Sequence, residues 1–134
     1  MRRIFPLWLG LVLLAAAPGA RAQEGPAQAV IAAQIEAFEA DDLDRAFGYA
    51  SPTIRGIFGT AENFGEMVRR GYPMVWRPAD LRFLDAETRD GALWQGVMIR
   101  DGQGRVHVLE YEMIEGPDGW KINAVRIRPS AGLA

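Results

Sequence analysis

Cysteine is absent from this chain of 134 residues, and histidine occurs once, as His107. Disulfides are therefore excluded, and so is a lipid anchor on an N-terminal cysteine. A zinc-type site has too few ligands, because one imidazole leaves only carboxylates, and these lack the spacing of a calcium loop. No metal and no cofactor are predicted. Positive charge is also in short supply: 15 Lys and Arg face 17 Asp and Glu, and the basic residues are scattered among the acids. A nucleic-acid partner needs Lys and Arg gathered on one face, so none is expected. The basic doublets Arg69-Arg70 and Arg126/Arg128 read as solvated ends of a helix and a strand. There is no Gly-x-Ser-x-Gly nucleophile elbow. Gly102-Gln103-Gly104 joins two strands without the helix N-terminus that a phosphate loop requires, so it reads as a hairpin turn.

Long apolar runs are scarce too. Ile4 to Ala17 covers only about 14 residues and is interrupted by Pro6 and Gly10, whereas crossing a membrane takes roughly 20. Arg2-Arg3 before that run, Pro18-Gly19 after it and the small residues of Ala20-Arg21-Ala22 form a signal peptide, Met1 to Ala22, cleaved before Gln23. The competing readings are an uncleaved anchor and, from Arg2-Arg3-Ile4-Phe5, twin-arginine export. Cleavage removes three basic residues and no acid, leaving net charge −5 on 112 residues, Gln23 to Ala134. That length holds one domain with one modest core. The expected product is a periplasmic or secreted soluble domain, free of the membrane after cleavage and held together by packing alone.

The mature chain divides near Arg77-Pro78 into a helical half and a strand-rich half, an α+β order. Ala27, Val30, Ile31, Ile35 and Phe38 recur at helical spacing, with Gln34, Glu36 and Glu39 between them, predicting an amphipathic helix over 27–40. Asp41-Asp42 ends it, and Asp42 or Asp44 caps a short second helix bearing Leu43, Ala46 and Phe47. Ser51-Pro52 restarts the chain as N-cap and first helical residue. A third helix over 60–70 is capped by Thr60 and buries Phe64, Met67 and Val68; Gly71 and Pro73 end it.

Four strand-like runs follow: Leu81 to Glu87, Leu93 to Arg100, Val106 to Ile114 and Trp120 to Arg128. Short Gly-containing links join them, which predicts an antiparallel meander. His107, Leu109, Tyr111 and Met113 share the face expected to meet the helices, with Glu110 and Glu112 opposite. In the last strand Trp120 and Ile122 have even parity but Val125 and Ile127 odd, the signature of a β-bulge near Asn123-Ala124. Helices lying in a strongly curved sheet are the expected architecture.

The order helix, Asp41-Asp42-Leu43-Asp44-Arg45-Ala46-Phe47 break, and meander ending in Gly119-Trp120-Lys121-Ile122-Asn123 resembles the nuclear-transport-factor-2-like (SnoaL-like) superfamily. Ala50-Ser51-Pro52, Phe58-Gly59, Phe64 with Met67-Val68, Gly71-Tyr72 and the terminal Gly-Trp-Lys-Ile run resemble, more narrowly, domain of unknown function 4864. The resemblance implies an NTF2-like cone of N-terminal helices on a curved four-stranded antiparallel sheet, an open-ended apolar cavity and frequent homodimers through the sheet. Superfamily members range from isomerases and dehydratases to non-catalytic modules, so fold alone assigns no role.

For chemistry, His107 is the foremost proton-transfer candidate, because it faces the helices and an imidazole titrates near neutrality. Against that, it sits at a strand start, where it could be half exposed or bonded to a backbone carbonyl. Tyr111 lies deeper, where its hydroxyl could donate to a ligand carbonyl or simply pack with one satisfied bond. Glu110 and Glu112 stand roughly 7 Å apart along one strand face, a spacing suited to glycosidic chemistry but also to cross-strand pairing with Arg82, Arg100 or Arg126. Tyr72, Trp76, Trp94, His107 and Tyr111 are the candidate ligand-binding residues for a small apolar molecule, and the favoured role is a non-catalytic ligand-binding or protein-interaction module. The alternative is a small cofactor-independent isomerase, dehydratase or hydrolase-like enzyme using His107 with Tyr111.

Overall fold

The computed structural model describes residues 20–129, with side chains from Gly25 onward. The expected signal peptide thus lies outside the described residues, save for the helical backbone of Ala20, Arg21 and Ala22. Among the described residues the helices are α1 (Ala20–Glu39), α2 (Leu43–Gly48), α3 (Pro52–Phe58), α4 (Ala61–Gly71) and α5 (Pro73–Trp76). They precede strands β1 (Asp80–Arg89), β2 (Ala92–Arg100), β3 (Val106–Gly116) and β4 (Gly119–Ile127). The strands form one open antiparallel sheet in the order β1-β2-β3-β4, so the α+β meander expected from the turns is what the chain builds. No helix among the described residues is long and apolar enough to cross a membrane.

Helix α1 starts before the expected Ala27 and contains Pro26. Its buried stripe includes Ala27, Ile31, Ile35 and Phe38. Gln34, expected among the polar positions, is instead buried, because its Nε2 donates to the Ala46 carbonyl at 3.0 Å and ties α1 to α2. Asp42, not Asp44, caps α2, its Oδ1 accepting from the Arg45 amide. Asp41 adopts a left-handed φ of 56° at the break and pairs with Arg77 at 2.8 Å. Ser51 and Thr60 cap α3 and α4 through their hydroxyls, each accepting an amide three residues on. Pro73 does not simply end α4: its fixed φ and missing N–H suit a helix start, and it opens the short α5.

Asp90 and Gly91, with φ of 51° and 81°, make the two-residue turn that matches strand twist between β1 and β2. The β4 bulge falls where the parity change places it: Glu112 pairs with Ala124 and Met113 with Ile122, leaving Asn123 as the extra residue. A second bulge went unforeseen. Phe83 pairs with Val97 and Ala86 with Gln95, so Leu84 and Asp85 together oppose Gly96. A Cβ at position 96 would lie 3.1 Å from both the Leu84 Cβ and the Asp85 carbonyl, which is why glycine stands there. The carbonyl of Leu84 accepts from Gln95 Nε2 at 2.7 Å, so the buried Gln95 repairs the ladder that the bulge interrupts.

The core lies between the sheet and the helices. Leu93, Val97 and Ile99 of β2 and Leu109, Tyr111 and Met113 of β3 meet Ile31, Ile35 and Phe38 of α1, with Val68 and Val75 closing the far end. Each such side chain contributes roughly 1.5–3 kcal/mol on full burial. On the β4 edge, Ser51 N–H donates to the Ile122 carbonyl and Ile122 N–H to the Tyr49 carbonyl, both at 2.9 Å. The link between α2 and α3 therefore lies parallel along β4 at Ala50 and covers part of an otherwise open edge.

Candidate functional site

A cavity of about 420 Å³ opens between the helices and the β4 side of the sheet. Phe38 of α1, Ile54 and Phe58 of α3, Phe64, Met67 and Val68 of α4, and Val75 of α5 supply its apolar wall. The aromatic part is interlocked, Phe64 lying 6.0 Å from Phe38 and 5.8 Å from Phe58 between ring centroids. The sheet side consists of Tyr111 and the bulged stretch Ile122 to Val125. The bulge is what turns consecutive β4 residues toward one concavity, since a regular strand would alternate them across the sheet.

Four polar side chains of the described residues line this cavity: Gln34, Tyr72, Tyr111 and Asn123. Gln34 Nε2 is held by the Ala46 carbonyl. Asn123 Oδ1 accepts from Ser51 Oγ at 2.7 Å while its Nδ2 donates to Glu112 Oε1 at 2.9 Å, a chain that binds α3, the bulge and β3 together. The Tyr72 hydroxyl donates to the Val125 carbonyl at 3.2 Å. Tyr111 differs: its side chain is fully buried, and its hydroxyl has no hydrogen-bond partner among the described residues. Burial first, and then the neighbouring Tyr72, push the Tyr111 phenol well above its usual range, so it stays protonated at neutral pH. Among the described residues that line this cavity there is no Asp, Glu, Lys, Arg or His.

The extent of the family match decides membership: a family model described as "Domain of unknown function (DUF4864)" matches residues 20–134. This chain belongs to the DUF4864 family. No curated protein matches the chain.

Of the expected ligand-binding set, the DUF4864 domain brings Tyr72 and Tyr111 to one cavity and places Trp76, Trp94 and His107 elsewhere. Trp76 packs on Phe38 at 5.4 Å, with the Arg77 guanidinium 4.8 Å from its ring, helping to close the helix layer. Trp94 lies on the opposite sheet face, because Leu93 and Gln95, its neighbours, take the core-facing parity. There the Arg89 and Arg126 guanidiniums each approach its ring to 4.6 Å and cover it. Glu110, on the same outer face, accepts from Arg89 and Arg128 rather than from Arg82, Arg100 or Arg126. Glu112 is engaged by Asn123. The two carboxylates are thus tied into the surface of the sheet.

His107 is the second residue of β3, about 13 Å along the strand from Tyr111 by strand rise, so the two cannot act on one small substrate. It does not bond a backbone carbonyl. Its Nε2 lies 2.9 Å from Asp101 Oδ2, while Asp101 Oδ1 accepts the Gln103 and Arg105 amides at 2.9 Å each. The carboxylate staples the β2–β3 turn, and the hydrogen bond from His107, with smaller help from those amides, lowers the Asp101 pKa to about 2. This pair borders a second concavity of about 520 Å³ together with Met74, Arg77 and Arg105. No group of three or more potential metal ligands occurs among the described residues.

Gln34 and Asn123 line the cavity although neither is among the candidates expected from the sequence. For Asn123 the parity change at the bulge was the available signal; for Gln34 nothing in the helical spacing distinguishes it from an exposed position.

Proposed function

We propose that this DUF4864 domain is an exported, NTF2-like module whose cavity binds a small apolar ligand without transforming it. The observation that carries the reading is the composition of the cavity. An aromatic and aliphatic wall around about 420 Å³ falls within the roughly 300–1,000 Å³ typical of small-molecule sites. Among the described residues that wall carries no ionisable acid or base beyond two phenols, so it offers proton-transfer chemistry no base.

Helix α1 supports the export part. Among its described side chains, which begin at Gly25, the first buried one is Ala27, and cleavage before Gln23 keeps it. Pro26 lies in the interior of α1 as it runs from Ala20, where it forgoes one backbone hydrogen bond. In a helix starting at Gln23 it falls in the first turn, whose N–H groups have no intrahelical partner anyway. Edman sequencing of the protein recovered from periplasm should begin at Gln23; a product still beginning at Met1 would refute this part. The outer sheet face, with Met98, Val108 and Ile114 beside the Trp94 cluster, is the surface we assign to pairing with a second copy.

The test of the ligand reading is a thermal-shift screen of neutral apolar compounds on the mature chain, repeated on Ala124→Phe, which fills the cavity from the bulge. Ligand at 100 times its Kd stabilises by about 2.7 kcal/mol, so binders should raise the melting temperature by several degrees in the wild type only. A screen with no stabilising compound would sink the proposal. A second reading, a hydrolase-like enzyme, draws on the His107–Asp101 pair beside Arg77 and Arg105, the geometry of a base and its orienting group. It requires ester or amide turnover that disappears in His107→Ala.

A further inference from the structure

Among the polar groups of the cavity, one is singled out by what it lacks. Gln34 Nε2, Asn123 and the Tyr72 hydroxyl all spend their donors on the protein, whereas the Tyr111 hydroxyl, on a fully buried side chain, spends none. Buried polar groups are nearly always hydrogen-bonded, and an orphaned donor is costly. The phenol is a stronger donor than acceptor, and it remains neutral because burial raises its pKa. A charged ligand would meet no countercharge on the wall and would lose its hydration without compensation.

We infer that the ligand is an uncharged, mostly apolar molecule carrying one carbonyl oxygen, a ketone or ester, and that the Tyr111 hydroxyl donates to that oxygen and fixes the ligand's orientation. The inference rests on the cavity-binding reading above and adds the ligand's chemical class to it. Specificity then follows from asymmetry. The apolar wall accepts any hydrocarbon of suitable size, and the single donor discriminates among them, because only a carbonyl ligand leaves Tyr111 paired.

The experiment compares two neutral probes of the same shape, propiophenone and 2-phenyl-1-butene, in which a CH₂ group replaces the carbonyl oxygen. Affinities are measured by calorimetry on the full mature chain, for the wild type and for Tyr111→Phe. A hydrogen bond of ordinary net strength predicts that Tyr111→Phe weakens the ketone about three- to tenfold and leaves the alkene unchanged or tighter. In a second measurement, which needs no variant, the infrared carbonyl band of ketone bound to the wild type should move to lower wavenumber than in hexane. If both probes bind and the substitution shifts them equally, or if the bound ketone shows no band shift, the role of Tyr111 is wrong while the cavity reading stands. If neither probe binds the wild type, the cavity reading falls and this inference falls with it.

Discussion

Tyr111 and Asp101 are both on or beside β3, yet their energetics run in opposite directions. Tyr111 packs its ring into the core while its hydroxyl goes unpaired. Removing a buried orphan hydroxyl relieves about 1–3 kcal/mol, so Tyr111→Phe should melt above the wild type when no ligand is present. Equal or lower melting temperatures by scanning calorimetry would mean that the hydroxyl has a partner in solution. Asp101 is the reverse case, a carboxylate with more partners than most: two amides and an imidazole. Its folded pKa of about 2 lies below the ordinary 3.8. The folded state therefore favours the ionised form, so this stabilisation is fully present above pH 3.8 and drains away as pH falls through 2. Asp101→Asn should lower the melting temperature at neutral pH and flatten its fall across that acid window. An unchanged slope would show that the turn does not draw on the charge.

Elements meet at Ser51. It caps α3, its hydroxyl donates to the bulged Asn123, and its amide extends the Ala50 bridge to β4. A lost N-cap alone costs about 0.5–2 kcal/mol, and Ser51→Ala also frees Asn123 beside the cavity. Urea denaturation should show a loss at or beyond the top of that range, with an unchanged m-value. A loss under 0.5 kcal/mol would mean that Asn123 is held by Glu112 alone. The meander was readable in the sequence because each link carries the residues its backbone needs, as at Asp90-Gly91. The β4 bulge was readable because strong apolar markers, Ile122 and Val125, stand on either side of it. Its counterpart in β1 was not, since only Ala86 and the exposed Thr88 carry the phase beyond Leu84.

For the whole molecule, the α+β layering follows from the switch of hydrophobic period near Pro78, but the contents of the cavity were only half visible. Tyr72 and Tyr111 were legible from parity and position. Trp94 was not, because Ala92-Leu93-Trp94 is a continuous apolar run that conceals which face is which, and the core-facing member of the next pair is a glutamine. His107 has the inward parity, yet as the second residue of β3 it is drawn to the turn carboxylate rather than to the cavity. The cavity has one more consequence in a chain without cysteine. It lies between α3, α4 and β4, so the ligand proposed above would touch helix and sheet at once and act as a removable cross-link where small disulfide-bonded domains carry a permanent one. Survival against proteases would then follow ligand supply, and the amount of protein in its compartment would report how much of that compound is there.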